Sequence, residues 1–171
     1  MRMALLPLVP AGILAGGCNN SGCTDNHSAL PLMGFYDYAT GQPITLDSID
    51  FGGVDAPGDS LLIHSGEKTG QIYLPFRNGA GQCAFYIHYD YKEQGLDFPE
   101  LNDTVTFIYD TEPYFASSEC GAMYRYRITG TRHTRHLVDS LAVTDSMITN
   151  VERERIQLFF RTSDPGEGDE E

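Results

Sequence analysis

Alternating apolar and polar residues dominate this chain. A period of two places Ile72, Leu74 and Phe76 on one face of an extended strand, and the segment 155–161 repeats this spacing. No window of adequate length has the period of an amphipathic helix. Turn signals separate the extended runs, which predict strands at residues 33–39, 44–51, 60–64, 71–77, 82–91, 103–110, 122–131, 136–144 and 155–161.

Composition and length agree with an all-β domain. The chain has 171 residues, enough for one ordinary domain with a sizeable core. It contains Tyr 10 and Phe 9, which favour strands, together with Gly 18 and Pro 9, which favour turns. We therefore predict an all-β fold, an immunoglobulin-like antiparallel β-sandwich spanning residues 32–162.

Two stretches of the predicted domain resemble each other. In each, an aromatic strand is followed by Asp-Ser at a strand start and then by the pattern I-x-L-x-F-R, at 72–77 and at 156–161. The sandwich would then consist of two similar halves packed on each other. The alternative is that strands of a sandwich look alike without duplication.

Residues 1–17 have the layout of a signal peptide. Arg2 supplies a positive charge, the segment 4–15 is apolar, and Gly16 and Gly17 precede Cys18. A membrane span needs about 20 apolar residues, so this stretch is too short to be a permanent anchor. The sequence therefore predicts an exported protein.

The segment 14–18, Leu-Ala-Gly-Gly-Cys, resembles the lipobox of bacterial lipoproteins. In that family a diacylglycerol is attached to the cysteine thiol, and cleavage makes this cysteine the first residue. The segment departs from the usual pattern because Ala15 stands where a large aliphatic residue is common, with Leu14 one place earlier. The resemblance implies lipidation of Cys18 and a lipidated N-terminus and tether at residues 18–31.

Charge and the region after Cys18 indicate the location and the partners. The net charge of −13 repels phosphate backbones, so we expect no nucleic-acid partner. Part of the acidic excess lies in residues 163–171, which we predict to be a disordered tail.

No acidic run follows Cys18, whereas in Bacteroidota lipoproteins such a run resembles a surface-export signal. We expect an outer-membrane lipoprotein that faces the periplasm, held by its lipid anchor and contacting an envelope protein.

Three cysteines remain if Cys18 carries lipid. Export places them in an oxidising compartment, where a disulfide persists. Cys83 is in phase with Phe85 on a predicted strand and is expected in the core. This favours a disulfide between Cys23 and Cys120, which would stabilise the fold by about 4 to 5 kcal/mol before strain. Pairings of Cys83 with either Cys23 or Cys120 remain open.

Catalytic and metal-binding motifs give no signal. The chain has no G-x-S-x-G, H-E-x-x-H, P-loop or dinucleotide fingerprint, and no CxxC. His133 and His136 lie three apart in a strand context, which places them on opposite faces beside arginines that repel a cation. We predict no metal, no cofactor and no catalytic residue.

Asp followed by Ser or Thr and then by an aliphatic residue or Met occurs five times, where average composition predicts about one match. The triplet resembles the acceptor site of the general O-glycosylation system of Bacteroidota. The resemblance implies glycans on some of the hydroxyls of Ser48, Ser60, Thr104, Ser140 and Ser146. The alternative is structural, because Asp-Ser ends a turn well and an aliphatic residue then starts a strand.

Short motifs along most of the chain resemble a family of uncharacterised Bacteroidota lipoproteins. Besides the lipobox-like start, they are Cys23-Thr24, Phe35-Tyr36, Leu46-Asp47-Ser48-Ile49, Leu74-Pro75, Glu119-Cys120-Gly121 with Tyr124, Val138-Asp139-Ser140-Leu141 and Ile156-Gln157-Leu158-Phe159-Phe160. That family has no assigned activity, so the resemblance implies location and fold only.

Two functions follow as expectations. The first is a non-catalytic interaction or scaffold module that contacts envelope proteins through sheet edges and tyrosine-bearing faces. The alternative is a glycan-binding module or a glycan-acting enzyme that stacks sugars on aromatic rings, which the lack of Trp weakens. Flat faces favour the first function, and an open groove with outward tyrosines and convergent carboxylates favours the alternative.

Overall fold

Strands form the body of the protein, as the alternating pattern predicts. The computed structural model describes residues 29–90, 99–118 and 121–162. Within this part, no helix is long and apolar enough to cross a membrane. The strands are β1 (Leu32–Asp37), β2 (Ile49–Gly53), β3 (Leu61–Ile63), β4 (Gln71–Tyr73), β5 (Gln82–Tyr89), β6 (Asp103–Ser117), β7 (Gly121–His133), β8 (Val138–Val143), β9 (Met147–Ile148) and β10 (Glu154–Phe160).

Two sheets pack face to face. The four-stranded sheet has the order β4-β1-β10-β8, and the six-stranded sheet has the order β3-β2-β5-β6-β7-β9. β1 pairs with β10 in parallel, and the other strand pairs of the described residues are antiparallel. The predicted all-β sandwich is confirmed.

Aromatic side chains fill the space between the sheets. Phe35 of the four-stranded sheet contacts Phe51 of the six-stranded sheet, with ring centroids 6.4 Å apart. It also meets Phe160 edge to face at 5.5 Å, and Phe51 contacts Phe85 at 5.9 Å. Full burial of one such side chain contributes about 1.5–3 kcal/mol, so these rings are a main source of stability.

Several predicted strand boundaries were wrong. The strand predicted at 44–51 begins only at Ile49, because the chain crosses from one sheet to the other here and Leu46 makes an isolated bridge to Thr69. The strand predicted at 71–77 ends at Tyr73, two residues before Pro75, which lacks an N–H for the ladder. The two-residue strand β9 was not predicted.

The hairpin of β6 and β7 extends well beyond its predicted length. β5 pairs with β6 only as far as Gln82 opposite Ile108, while β6 continues to Ser117. We call the projecting part, residues 111–117 and 121–126, the arm. Pro113 is tolerated in the arm because, beyond Ile108, the edge of β6 that faces away from β7 has no partner strand in the described part of the chain.

The two stretches with similar sequences take different places. β2 lies in the six-stranded sheet and β4 in the four-stranded sheet, whereas their counterparts β8 and β10 are neighbours in one sheet. The strand pairing therefore does not repeat, which favours the alternative that sandwich strands look alike.

Candidate functional site

The outer face of the four-stranded sheet carries aromatic and acidic side chains together. On β1, Met33 and Phe35 enter the core, so Gly34 and Tyr36 lie on the opposite face. The same alternation on β10 turns Phe159 outward, where its ring contacts that of Tyr36 at 5.5 Å. We call this surface the tyrosine face, defined by Tyr36, Gln71, Tyr73, Glu152, Glu154, Gln157 and Phe159.

The Glu154 carboxylate is the centre of the tyrosine face. Its Oε1 accepts hydrogen bonds from the Tyr36 hydroxyl at 2.6 Å and from the Gln157 amide at 3.1 Å. Its Oε2 accepts one from the Gln71 amide at 3.1 Å. A Cβ at Gly34 would lie 2.0 Å from this Oε2, so glycine leaves the room that the carboxylate occupies. These bonds connect β1, β4 and β10.

A second tyrosine and carboxylate pair lies beside the first. The Tyr73 hydroxyl donates to Glu152 Oε1 at 2.5 Å. The hydrogen bond to Glu152, then burial, raises the pKa of Tyr73, and the bond to Glu154, then burial, raises the pKa of Tyr36. Among the described residues no Lys, Arg or His forms an ion pair with either glutamate. The tyrosine face therefore presents two carboxylates that are not tied up in ion pairs within the described residues.

A shallow groove continues from the tyrosine face. It has a volume of about 610 Å³ and is lined in part by Leu62, Lys68, Gln71, Tyr73 and Glu152. Tyr73 is 37% exposed, so its ring is accessible from solvent. The groove thus offers an aromatic surface and both signs of charge to a ligand.

The hydroxyls predicted to carry glycans are not brought together. Ser48, Ser60 and Ser146 are exposed, and Thr104 and Ser140 are half-buried in β6 and β8. Glycosylation stays a prediction. The aspartates before the half-buried hydroxyls, Asp103 and Asp139, are themselves buried and hydrogen-bonded.

Of the four cysteines, only Cys83 lies within the described residues, and it packs against the core as predicted. Burial raises the pKa of its thiol to about 12. Cys18, Cys23 and Cys120 lie outside the described residues, as do the segments 1–17, 18–28 and 163–171. The signal peptide, the lipidation, the disulfide and the disordered tail stay predictions.

Reasoning from the sequence did not single out the tyrosine face. The available signal was Phe159 and Tyr36 at polar-side positions of alternating strands, where a soluble surface rarely needs large rings. The position of Glu154 between them depends on the parallel pairing of β1 with β10, which alternation alone does not reveal.

The fold and the tyrosine face together define a β-sandwich domain with an aromatic, acidic surface. Residues 48–160, more than half of the chain, match the family of unknown function DUF6452, and the chain belongs to this family. Searches of curated proteins and of solved structures gave no match.

Proposed function

We propose that the protein is an exported, lipid-anchored outer-membrane lipoprotein of a Bacteroidota cell, facing the periplasm, that acts as a non-catalytic interaction module. The signal-peptide layout of residues 1–17 and the lipobox-like segment before Cys18 support export and anchoring. The resemblance of the chain to uncharacterised Bacteroidota lipoproteins agrees with this location.

The observation that carries the interaction role is the tyrosine face. Tyrosine is enriched among the side chains that contribute most to protein interfaces. Tyr36 and Tyr73 are held by their hydrogen bonds to Glu154 and Glu152, so they lose little rotamer freedom when a partner binds. An ordered aromatic platform of this kind suits a protein surface.

The charge of the face defines the chemistry of the partner. Glu152 and Glu154 have no ion-pair partner in the described part of the chain, and the whole chain carries −13. Complementary charge steers association and fixes its orientation. The partner that fits is an envelope protein with a basic surface that places Lys or Arg against the two carboxylates.

The groove beside Tyr73 favours a second candidate, a saccharide-binding module. The groove contains the two kinds of side chain that bind sugars. The Tyr73 ring could stack on a sugar ring, and the Glu152 carboxylate could accept hydrogen bonds from sugar hydroxyls. Against it, Glu154 already accepts three hydrogen bonds from Tyr36, Gln71 and Gln157 and has little capacity left for ligand hydroxyls. The protein-interaction role is therefore the better supported of the two.

The test is affinity capture of the full-length lipoprotein, tagged at its C-terminus, from detergent-solubilised envelope, followed by quantitative mass spectrometry. We expect the wild type to enrich one outer-membrane protein. Tyr73→Ser and Glu154→Gln should each lower that enrichment by about five-fold or more, the loss expected when a central interface contact is removed. High salt should also weaken the capture, because exposed charges are screened.

Glu100→Gln is the matched control, since Glu100 is exposed on a turn that packs beside the six-stranded sheet. It should capture the same protein as the wild type. Equal capture by Glu154→Gln, or recovery of lipid alone, would contradict the interaction role. Release of the captured protein by soluble envelope oligosaccharides, with direct binding of those sugars, would support the saccharide module instead.

A further inference from the structure

The two faces of the arm differ in their contacts. On one face, Tyr114 donates its hydroxyl to Asn150 at 2.8 Å, and Arg125 pairs with Glu112 at 2.8 Å while lying 5.8 Å from the Tyr114 ring centroid. Met123 on the same face is only 8% exposed. This face therefore packs against the body of the protein.

Beyond its base, where Tyr126 lies buried in the core, the opposite face of the arm is apolar and exposed. Pro113 pairs with Tyr124 and Phe115 pairs with Ala122 across the hairpin, so these four side chains share one face. All four are exposed, with Phe115 at 71% and Tyr124 at 46%. Contiguous exposed apolar surface marks a contact site in soluble domains.

The arm projects from the end of the sandwich where the chain enters it. β1 begins at Leu32, which pairs with both Tyr73 and Glu154. The loop before β10 joins these strands to the arm, because Glu152 binds Tyr73 and Asn150 binds Tyr114. The exposed face of the arm and the point where the N-terminal segment joins the domain are therefore at the same end.

The length of that segment limits how far this end can lie from a lipid anchor. Eleven peptide units separate Cys18 from Ala29, and a chain of this length spans at most about 40 Å whatever its conformation. Tethering at such a distance makes even a weak contact with the bilayer effectively intramolecular. This step rests on the proposed lipidation of Cys18.

We propose that the exposed face of the arm, formed by Pro113, Phe115, Ala122 and Tyr124, inserts into the interfacial layer of the membrane that holds the anchor. Tyrosine, with an apolar ring and a polar hydroxyl, concentrates at this layer, and the Phe115 ring adds apolar area beside Tyr124. The net charge of −13 gives no attraction to anionic lipid, so the contact depends on apolar burial and is insensitive to salt. The lipid and the arm together orient the domain, with the strands running away from the bilayer.

The absence of Trp from the chain allows a direct test. Phe115→Trp and Tyr124→Trp are each made as the single tryptophan in the full-length, lipidated protein. The proteins are reconstituted in neutral phosphatidylcholine and phosphatidylethanolamine vesicles with or without brominated acyl chains. Both tryptophans should emit at shorter wavelength on the vesicles, and bromine should quench them about two-fold or more.

Tyr38→Trp is the matched control. Tyr38 is 55% exposed and follows the far end of β1, about 20 Å from Leu32 at the rise of a β-strand. Its tryptophan should be unquenched. Adding Phe115→Ser to the Tyr124→Trp protein should reduce quenching, because the remaining apolar face is too small to insert.

Other outcomes separate this proposal from the lipid anchor. If the vesicles float with the protein but Phe115→Trp is quenched no more than Tyr38→Trp, the arm does not insert and the anchor stands. If the protein does not float with the vesicles, both proposals fail. A shift to shorter wavelength that is independent of lipid and grows with protein concentration would show that the arm binds a second copy, which overturns insertion.

Discussion

Asp103 is a charged side chain buried completely in the sandwich. Its carboxylate accepts hydrogen bonds from the Tyr89 hydroxyl at 2.8 Å, from the Thr134 hydroxyl at 2.6 Å, and from backbone N–H groups at 136–138. Burial alone would raise the pKa of this carboxyl, but the hydrogen bonds from Thr134 and from the backbone outweigh it, and the pKa lies below its usual value. One residue thus joins β5, β6 and the turn before β8.

Asp103→Asn should lower the free energy of unfolding by about 2–4 kcal/mol, because an amide turns N–H donors toward groups that themselves donate. The lowered pKa means that the ionised carboxylate stabilises the fold above the ordinary Asp value of 3.8, and this stability is lost as pH falls through the folded-state pKa. Urea denaturation of both proteins between pH 7 and pH 3 measures the effect. The difference between them should shrink at the acidic end.

Asp47→Asn is the control at this scale, since Asp47 is exposed and its carboxylate accepts a bond from its neighbour Ser48 at 3.0 Å. It should leave the free energy of unfolding unchanged within about 0.5 kcal/mol. If Asp103→Asn were equally neutral, the carboxylate would not organise this end of the sandwich.

Gly34 shows how an element shapes the tyrosine face. β1 brings its backbone against the Glu154 carboxylate, so a methyl group at this position must displace the side chain. Because the displaced atoms are the movable end of Glu154, Gly34→Ala should cost only about 1 kcal/mol of stability. The bonds of Glu154 to Tyr36 and Gln71 should be lost, and capture of the partner should fall as it does in Glu154→Gln.

Gly53→Ala is the comparison for this change, because a Cβ there meets the Cβ of Ala56 at an ordinary 3.4 Å. Thermal unfolding and affinity capture of both variants test the idea. Normal capture by Gly34→Ala would mean that the position of Glu154 does not matter for binding. If Gly34→Ala lowered the free energy of unfolding as much as truncating a core side chain does, the backbone of β1, and not the Glu154 carboxylate, would have moved to make room.

Local pattern predicted most of the strands, and long-range pairing explains what it missed. Alternation in 155–161 and 82–91 located β10 and β5 to within two residues. It could not extend β6 to Ser117, because Asp110, Glu112 and Pro113 interrupt the apolar pattern of a strand that leaves the core. One face of the arm is exposed and the other packs only on a loop, so its sequence does not alternate between buried apolar and exposed polar residues as a core strand does.

At the scale of the whole molecule, the class of fold was predictable and the surfaces were not. Strand-rich composition and turn spacing are enough for a β-sandwich. The tyrosine face depends on β1 lying between β4 and β10, and the position of the arm depends on contacts of Asn150 and Glu152 with separate strands. These arrangements come from pairing between distant segments, which a single sequence does not encode in any local period.

The proposed orientation gives the two surfaces different tasks. The arm and the start of β1 share one end, and in this proposal the anchor holds that end at the membrane. β1 and β10 run in parallel away from that end, so Tyr36 and Phe159 lie farther along the sheet than Leu32 and Glu154. In the proposed orientation, the tyrosine face would extend sideways from the membrane into the periplasm, within reach of a neighbouring envelope protein.

Lipidation of Cys18 is the claim on which this placement depends most. The measurement is metabolic labelling with an alkyne fatty acid of cells that make the wild type, Cys18→Ser or, as control, Cys23→Ser, followed by fractionation of membranes. The wild type and Cys23→Ser should incorporate the label, lose residues 1–17 and sediment with the outer membrane, while Cys18→Ser stays unlabelled and unprocessed. Equal processing and equal membrane association of Cys18→Ser would contradict the account.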